Sequence, residues 1–193
     1  MVSLKRLQTI TAVANSRQQG IVVLEDIYDP HNAAAVFRTC DAFGIQKVCL
    51  IFDKGQRFNP KKLGKVTSAS ANKWLDFEIF SSARQCFSKL KRQGYSIVAT
   101  VLDAKAKNIF KTKFKNPKTA LVFGNEHTGL SPAAIELSDA HLYIPMRGFV
   151  QSLNLSVSAA LCLYEMSRQQ NPSSKFLLPR SQQNKLIRKW KGK

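Results

Sequence analysis

Carboxylates are scarce in this chain of 193 residues: twelve Asp plus Glu stand against thirty Lys plus Arg, a formal net charge of +18 at pH 7. The imbalance disfavours cationic partners and favours polyanions, which such a surface binds with release of counterions. Nucleic acid is the first expectation and an anionic membrane surface the second. Long apolar runs are absent too, and nothing approaches the roughly 20 residues that span a bilayer. The first residues, Met1 to Arg6, show no apolar block ahead of a small-residue cleavage site, so the expectation is a cytoplasmic protein without a membrane partner. Cysteine is sparse and dispersed. Cys40, Cys49, Cys86 and Cys162 each sit singly among apolar residues, which suits buried thiols and offers no ligand spacing for a structural zinc site. The three histidines, His31, His127 and His141, have no evident nucleophile beside them, so no Ser/His/Asp or Cys/His set can be assembled.

What the chain does have is positive charge in clusters. Lys54, Arg57, Lys61, Lys62, Lys65 and Lys73 occupy a stretch with no acidic residue. Lys105, Lys107, Lys111, Lys113, Lys115 and Lys118 form a second run, and a third follows in Lys175, Arg180, Lys185, Arg188, Lys189 and Lys191. Uncompensated runs of this kind suit a phosphate backbone better than a mixed-charge solvated face.

Apolar periodicity organises the chain into alternating strands and helices. Leu4 to Arg17 reads as an amphipathic helix, which could dock on the domain or on RNA, and Ile21-Val22-Val23-Leu24 as a buried strand. Asn32 is placed to cap a helix running to Phe43, with Gly44 as its stop. Strands are expected at 47–52, 74–80, 95–102, 119–123 and 141–144, and helices at 82–92, 132–137 and 153–169. This alternation implies an α/β fold with a mostly parallel sheet flanked by helices. After Asn171-Pro172-Ser173-Ser174 the composition turns basic, and the expectation is a linker followed by a mobile or RNA-ordered segment. The boundaries expected are 1–20 for an N-terminal helix, 21–170 for the main domain and 171–193 for the basic end.

In parallel sheets ligands sit beyond the carboxyl ends of the strands, so the loops there are where chemistry is expected. Four loops stand out: Asp29-Pro30-His31-Asn32 with Arg38 further along, Thr100 to Asp103, Gly124 to Ser131, and Pro145 to Asn154. The Gly124 loop lacks the Gly-Lys-Ser/Thr ending of a phosphate-binding P-loop, and no Gly-x-Gly-x-x-Gly follows the first strand. Glycines in strand-end loops still leave room for main-chain contact with another small cofactor, of which an adenosine-type ligand is an example. Ser152 and Asn154 also have a plain reading as the cap region of the following helix. Arg38 could bridge carbonyls or a carboxylate within the fold, or meet a phosphate.

Taken together, Asn32-Ala33-Ala34-Ala35-Val36-Phe37-Arg38-Thr39, Leu121 to Ser131 and Ile144 to Val157 resemble the three signature motifs of the SPOUT superfamily. Within it they are most similar to the tRNA (guanosine-2′-O)-methyltransferase family. The resemblance spans about Ile21 to Arg168. It implies a C-terminal trefoil knot that holds S-adenosylmethionine, a homodimer whose pocket is completed across the subunit interface, and no metal. It further implies Arg38 as the catalytic arginine with Asn32, Glu126, Ser152 and Asn154 as the polar motif residues. Thr100, Leu102, Gly124, Ile144, Met146, Ser152 and Leu153 fall where the family contacts its cofactor. Residues 1–20 alone precede the first strand, too few for the added RNA-binding domain of ribosomal RNA relatives. The implied substrate is therefore tRNA, at the D-loop guanosine 18, with ribosomal RNA as the alternative. A non-catalytic RNA-binding protein on the same scaffold is the other reading.

Overall fold

The computed structural model describes residues 3–63, 71–170 and 174–192. Seven strands form one sheet: β1 (Gln18–Glu25), β2 (Ile45–Ile51), β3 (Asp76–Phe80), β4 (Ser96–Thr100), β5 (Lys107–Asn108), β6 (Thr119–Phe123) and β7 (Ala140–Tyr143). Their order is β3-β2-β1-β6-β4-β7-β5, and all six neighbouring pairs are parallel. The helices are α1 (Leu4–Asn15), α2 (Pro30–Ala42), α3 (Ala83–Arg92), α4 (Pro132–Leu137), α5 (Leu155–Gln170) and α6 (Arg180–Lys191).

Strand alternation explains the layering. Along β1, Val22 and Leu24 point to one face and Ile21 and Val23 to the other; Leu121 and Phe123 of β6 alternate with Ala120 and Val122 in the same way. On the first face α2 supplies Ala33, Val36, Phe37 and Cys40, and α5 supplies Leu155, Ala159, Cys162, Leu163 and Met166. On the second, α3 supplies Cys86, Phe87 and Leu90, and α4 adds Ala134. Strands buried on both faces account for the unbroken apolar runs seen in the sequence. All four cysteines are buried free thiols, and desolvation pushes the Cys162 thiol up to about 12.

Two expectations are corrected here. Helix α2 begins at Pro30 and is capped by Asp29, whose side chain accepts from the His31 amide. Pro30 occupies the first helical turn, where its missing N–H costs nothing, so the cap moves ahead of Asn32 and frees that side chain. The basic C-terminal stretch is also not a mobile tail: α6 lies against α1, and Trp190 and Leu186 are buried with Ile10 and Ala14. Trp190 packs edge to face on Trp74, and the guanidinium of Arg17 sits 5.3 Å from its ring centroid. The Leu178 amide donates to the Arg17 carbonyl at 2.8 Å, tying the approach to α6 onto the end of α1. Of the three basic runs, Lys65 falls outside the described residues, as do Asn171, Pro172 and Ser173 of the expected linker. No helix is long and apolar enough to cross a membrane among the described residues.

Candidate active site

The chain leaves the carboxyl end of β1 towards β2 on one side of the sheet and that of β6 towards β4 and β7 on the other. Leu24 and Phe123 are partners at these two ends. Diverging connections open a crevice at such a point. Four loops wall it: 26–29 after β1, 101–106 after β4, 124–131 after β6 and 144–154 after β7. Between them lies a cavity of about 960 Å³, which is ample for a nucleoside-sized ligand.

The β6–α4 loop folds back on itself. Asn125 and Gly129 exchange main-chain hydrogen bonds of 3.0 and 2.9 Å, with Gly129 at φ +70°. Gly124 must be glycine, because a Cβ there would lie 2.4 Å from the Gly129 carbonyl carbon and 2.5 Å from the Leu130 nitrogen. Inside this hairpin Asn125 accepts from the amides of His127 and Thr128 and donates to the Asp26 carbonyl at 2.7 Å. That arrangement presents Glu126 to the loop after β1.

Glu126 accepts from the Tyr28 amide at 2.8 Å, the Asp29 amide at 3.4 Å and the Asn32 side-chain amide at 2.8 Å. A carboxylate at the start of α2 also meets the positive end of the helix dipole. Asn32 passes the chain on, its Oδ1 accepting from Asn154 at 3.2 Å. Asn154 accepts in turn from the Ser156 amide at 2.8 Å and hydroxyl at 2.7 Å. The capping role expected of Asn154 is present, and it leaves the rest of the side chain available: one oxygen caps α5 while its amide faces Asn32. Residues 94 and 122 positions apart are joined in one network.

Of the residues expected at a cofactor site, Thr100, Leu102, Gly124, Ile144, Met146, Ser152 and Leu153 all line the cavity, together with Asn32, Glu126 and Asn154. Arg38 does not. It lies six residues beyond Asn32, which on a helix is about 240° around and about 9 Å along the axis. Its side chain is exposed and makes no hydrogen bond or ion pair among the described residues. Within one chain the guanidinium is thus separate from the network. His31, in the first turn of α2, bonds the lining residue Asp29 without lining the cavity itself, while His127 lines it and packs edge to face on Tyr28 at 4.9 Å.

Glu25 and Asp26 were not singled out from the sequence, and both are structural anchors of the site. Glu25 is buried and accepts from the Ser131 amide at 2.9 Å and hydroxyl at 2.8 Å. Its burial pushes the carboxyl above the ordinary carboxylate range, against the pull of the Ser131 hydrogen bonds. Asp26, at φ +48°, accepts from the consecutive amides of Asp53, Lys54 and Gly55. The signal available in the sequence was two adjacent acids at a strand end in a chain with few of them.

Electrostatics distinguish the cavity from the rest of the molecule. In a chain with thirty Lys and Arg, its lining contains neither, but includes Asp29, Asp103 and Glu126. The His31 amide donating to Asp29 holds that carboxyl below its usual range, so it is ionised at neutral pH. Such a pocket repels polyphosphates and accepts a cationic ligand. No cluster of three His, Cys, Asp or Glu side chains suited to a metal ion occurs among the described residues.

A solved A. aeolicus TrmH/SpoU tRNA modifying enzyme superposes with a TM-score of 0.86 at 32% identity, over 96% of this chain and 94% of that one. An AdoMet-bound rRNA methyltransferase from Sinorhizobium meliloti gives a TM-score of 0.70 at 25% identity, covering 85% of this chain and 61% of that one. By sequence, a tRNA (guanosine(18)-2′-O)-methyltransferase of Aquifex aeolicus is 33% identical over 190 residues, 96% of this chain and 88% of the relative. The model of the SpoU rRNA Methylase family matches residues 19–164, which contain all four cavity loops and the complete Glu126–Asn32–Asn154 network, and the chain belongs to that family.

Proposed function

We propose that this chain transfers the methyl group of S-adenosylmethionine to the 2′-hydroxyl of a guanosine in tRNA, guanosine 18 of the D-loop. The observation that carries the reading is the network joining Glu126, Asn32 and Asn154 at the mouth of a cavity lined by all seven expected cofactor residues. The similarity to a tRNA (guanosine(18)-2′-O)-methyltransferase along nearly the whole chain gives it its substrate. The cavity fits the cofactor on chemical grounds: S-adenosylmethionine has a sulfonium and an ammonium against one carboxylate, and the lining offers carboxylates and no cationic Lys or Arg. When bound, it supplies an activated methyl group, and such a transfer needs no metal.

The protein's own residues then have positional work. Glu126 fixes the 28–32 turn through three donors, Asn32 and Asn154 hold the β7–α5 loop against it, and Thr100 is oriented by donating to the Val122 carbonyl at 2.8 Å. A ribose hydroxyl must be aligned with the departing sulfur and lose its proton as it attacks. We assign alignment of the sugar and its phosphate to Arg38, which is suited to phosphate by its planar donors and unsuited to act as a base without assistance.

Because Arg38 lies outside its own chain's cavity, this reading includes a homodimer in which one subunit lends Arg38 to the other. Val157, Leu161 and Tyr164 support it, as an exposed apolar stripe at helical spacing along α5, 45%, 42% and 56% exposed. We also infer the trefoil knot. β7 lies between β4 and β5, yet the following α5 packs against β6, α2 and the turn after β5, which a chain passing through the 101–118 connection would satisfy. Segments 1–20 and 171–193 are assigned to RNA contact outside the 21–170 transfer domain, and a tRNA substrate places the protein in the cytoplasm.

The test is complementation. Arg38→Ala abolishes methylation of a tRNA transcript while S-adenosylmethionine affinity changes by no more than a few fold. Mixed equally with a Gly124→Ala subunit, whose disturbed β6–α4 loop weakens cofactor binding, and assayed at an S-adenosylmethionine concentration that saturates only the intact cavity, it regains about a quarter of wild-type activity through heterodimers. Full activity of Arg38→Ala alone would refute the role of Arg38, and no recovery on mixing would refute the shared site.

A further inference from the structure

The second basic run occupies a distinct place in the fold. Between Ala104 and Thr119 the chain contains six lysines and no carboxylate. Lys118 is engaged, donating to the Gln93 carbonyl at 2.8 Å and lying over the Tyr95 ring. Lys105, Lys107, Lys111, Lys113 and Lys115 are exposed and make no hydrogen bond from their ammonium groups and no ion pair among the described residues. Four lysines elsewhere are paired with acids: Lys47 and Lys89 with Glu78, Lys91 with Asp139, and Lys189 with Asp76. Here only Lys113 feels a nearby carboxylate, that of Glu165 on α5, which Arg168 already pairs, and none of the five ammonium groups is in an ion pair among the described residues.

The backbone beneath those lysines is held firmly. Lys105 donates its amide to Asp103, Phe110 to the Asn108 side chain and Phe114 to Gln169 of α5. Gln169 and Gln170 donate back to the carbonyls of Thr112 and Phe114. Ile109 and Phe114 are buried. In the extended stretch after residue 111, alternation turns Thr112 and Phe114 inward and Lys111, Lys113 and Lys115 outward. Phe110 stands among them with 71% of its surface exposed. The row also begins at the cavity: Leu102 and Asp103 line it, and β5 pairs with Leu142 and Tyr143, which line it too.

Lysines on an edge strand can serve simply to prevent sheet-to-sheet association. That accounts for Lys107 on the two-residue β5, but not for the three lysines that continue past it. We propose that the row from Lys105 to Lys115 is a track for an RNA sugar–phosphate strand, leading from the methyl-transfer cavity over the β5 edge, with Phe110 offering a face to an unpaired base. The inference rests on the tRNA methyltransferase reading and adds to it the path of the substrate. Lysines act there as point charges on phosphates, and an exposed aromatic among them suits a single strand whose bases are splayed.

The test compares wild type with Lys107→Glu/Lys111→Glu/Lys113→Glu and with the corresponding Gln triple. Affinity for an unmodified tRNA transcript is measured across a potassium chloride series, S-adenosylmethionine affinity by calorimetry, and methyl transfer at saturating tRNA. Expected for the Glu variant are a tRNA Kd raised at least tenfold at about 0.1 M salt and a log–log salt slope reduced by about 2, for three lost phosphate contacts. The Gln variant shows the same slope change with a smaller loss, and both bind S-adenosylmethionine as wild type does and turn over within about threefold at saturation. A Kd within twofold and an unchanged slope in both variants would overturn the proposal. So would loss of binding to phosphatidylserine vesicles with tRNA affinity intact. Failure of the wild type to methylate tRNA would refute the functional reading instead, leaving the binding comparison to judge the track.

Discussion

Gly124→Ala adds one methyl group where the β6–α4 loop approaches itself most closely. The new Cβ would lie 2.4 Å from the Gly129 carbonyl carbon and 2.5 Å from its oxygen, whereas ordinary contact is 3.4–4 Å. Both obstacles are backbone, so no side-chain rotation relieves them, and the loop must open by about 1 Å. Opening breaks the two Asn125–Gly129 main-chain hydrogen bonds, worth about 1 kcal/mol each. It also displaces Glu126 from the turn it secures. With residual overlap the total is about 2–4 kcal/mol, divided between stability and cofactor binding. Taken wholly from stability it lowers Tm by about 4–16 °C for a chain of this size. Taken wholly from binding it weakens S-adenosylmethionine by about 30-fold to several hundred-fold. Scanning calorimetry and titration calorimetry on the same preparation measure both shares. A variant whose Tm stays within about 2 °C and whose affinity stays within threefold of wild type would show that this loop does not set the cavity.

Trp190→Ala removes an indole that is 1% exposed and should cost about 3–5 kcal/mol, lowering Tm by roughly 6–20 °C with S-adenosylmethionine affinity intact; a Tm unchanged by the substitution would mean that α6 is not part of the cooperative fold. Asn32→Asp is isosteric but sets a second carboxylate at the 2.8 Å contact with Glu126. Two such groups share a proton as pH falls, so turnover should drop at least tenfold at pH 8 and recover in part towards pH 6, and a flat pH profile would contradict this. Glu25 has a folded-state pKa above its unfolded value of 4.5, so the stability it contributes is present below pH 4.5 and is lost as pH rises through the elevated value. The Tm of wild type should accordingly fall relative to Glu25→Gln over that window, and a constant difference would count against the burial argument.

Much of this was legible in the sequence because the sheet is parallel and doubly covered, which writes each strand as an apolar run and each crossover as an amphipathic segment. The two-residue β5 was missed, since Lys107 and Asn108 have no apolar signature and pair only with β7. The start of α2 was misplaced because Asp29 and Asn32 are both good caps, and Pro30 decides between them. Helix α6 was taken for a mobile or RNA-ordered segment because Leu186, Ile187 and Trp190 lie within a basic stretch, while their partners Ile10 and Ala14 are far away in the sequence. Motif residues led to the cavity with one exception: Arg38 is exposed on α2, outside its own chain's pocket, because six residues beyond Asn32 the helix has turned it away. Asp26 and Asn125, which act through backbone amides and carbonyls, were not singled out because such roles leave no pattern of residue types.

The pairing of α1 with α6 also bears on how the molecule is made. Asn15 at the end of α1 meets Arg180 at the start of α6 across 165 positions. A ribosome adding about 5–20 residues per second needs roughly 8 to 33 s to traverse that interval. Throughout it, α1 lacks the α6 side chains that bury Ile10 and Ala14. Synthesis that stalls before α6 would release a sheet already able to form, joined to a helix that has lost most of its cover, and such products should be prime clients for chaperones and proteases.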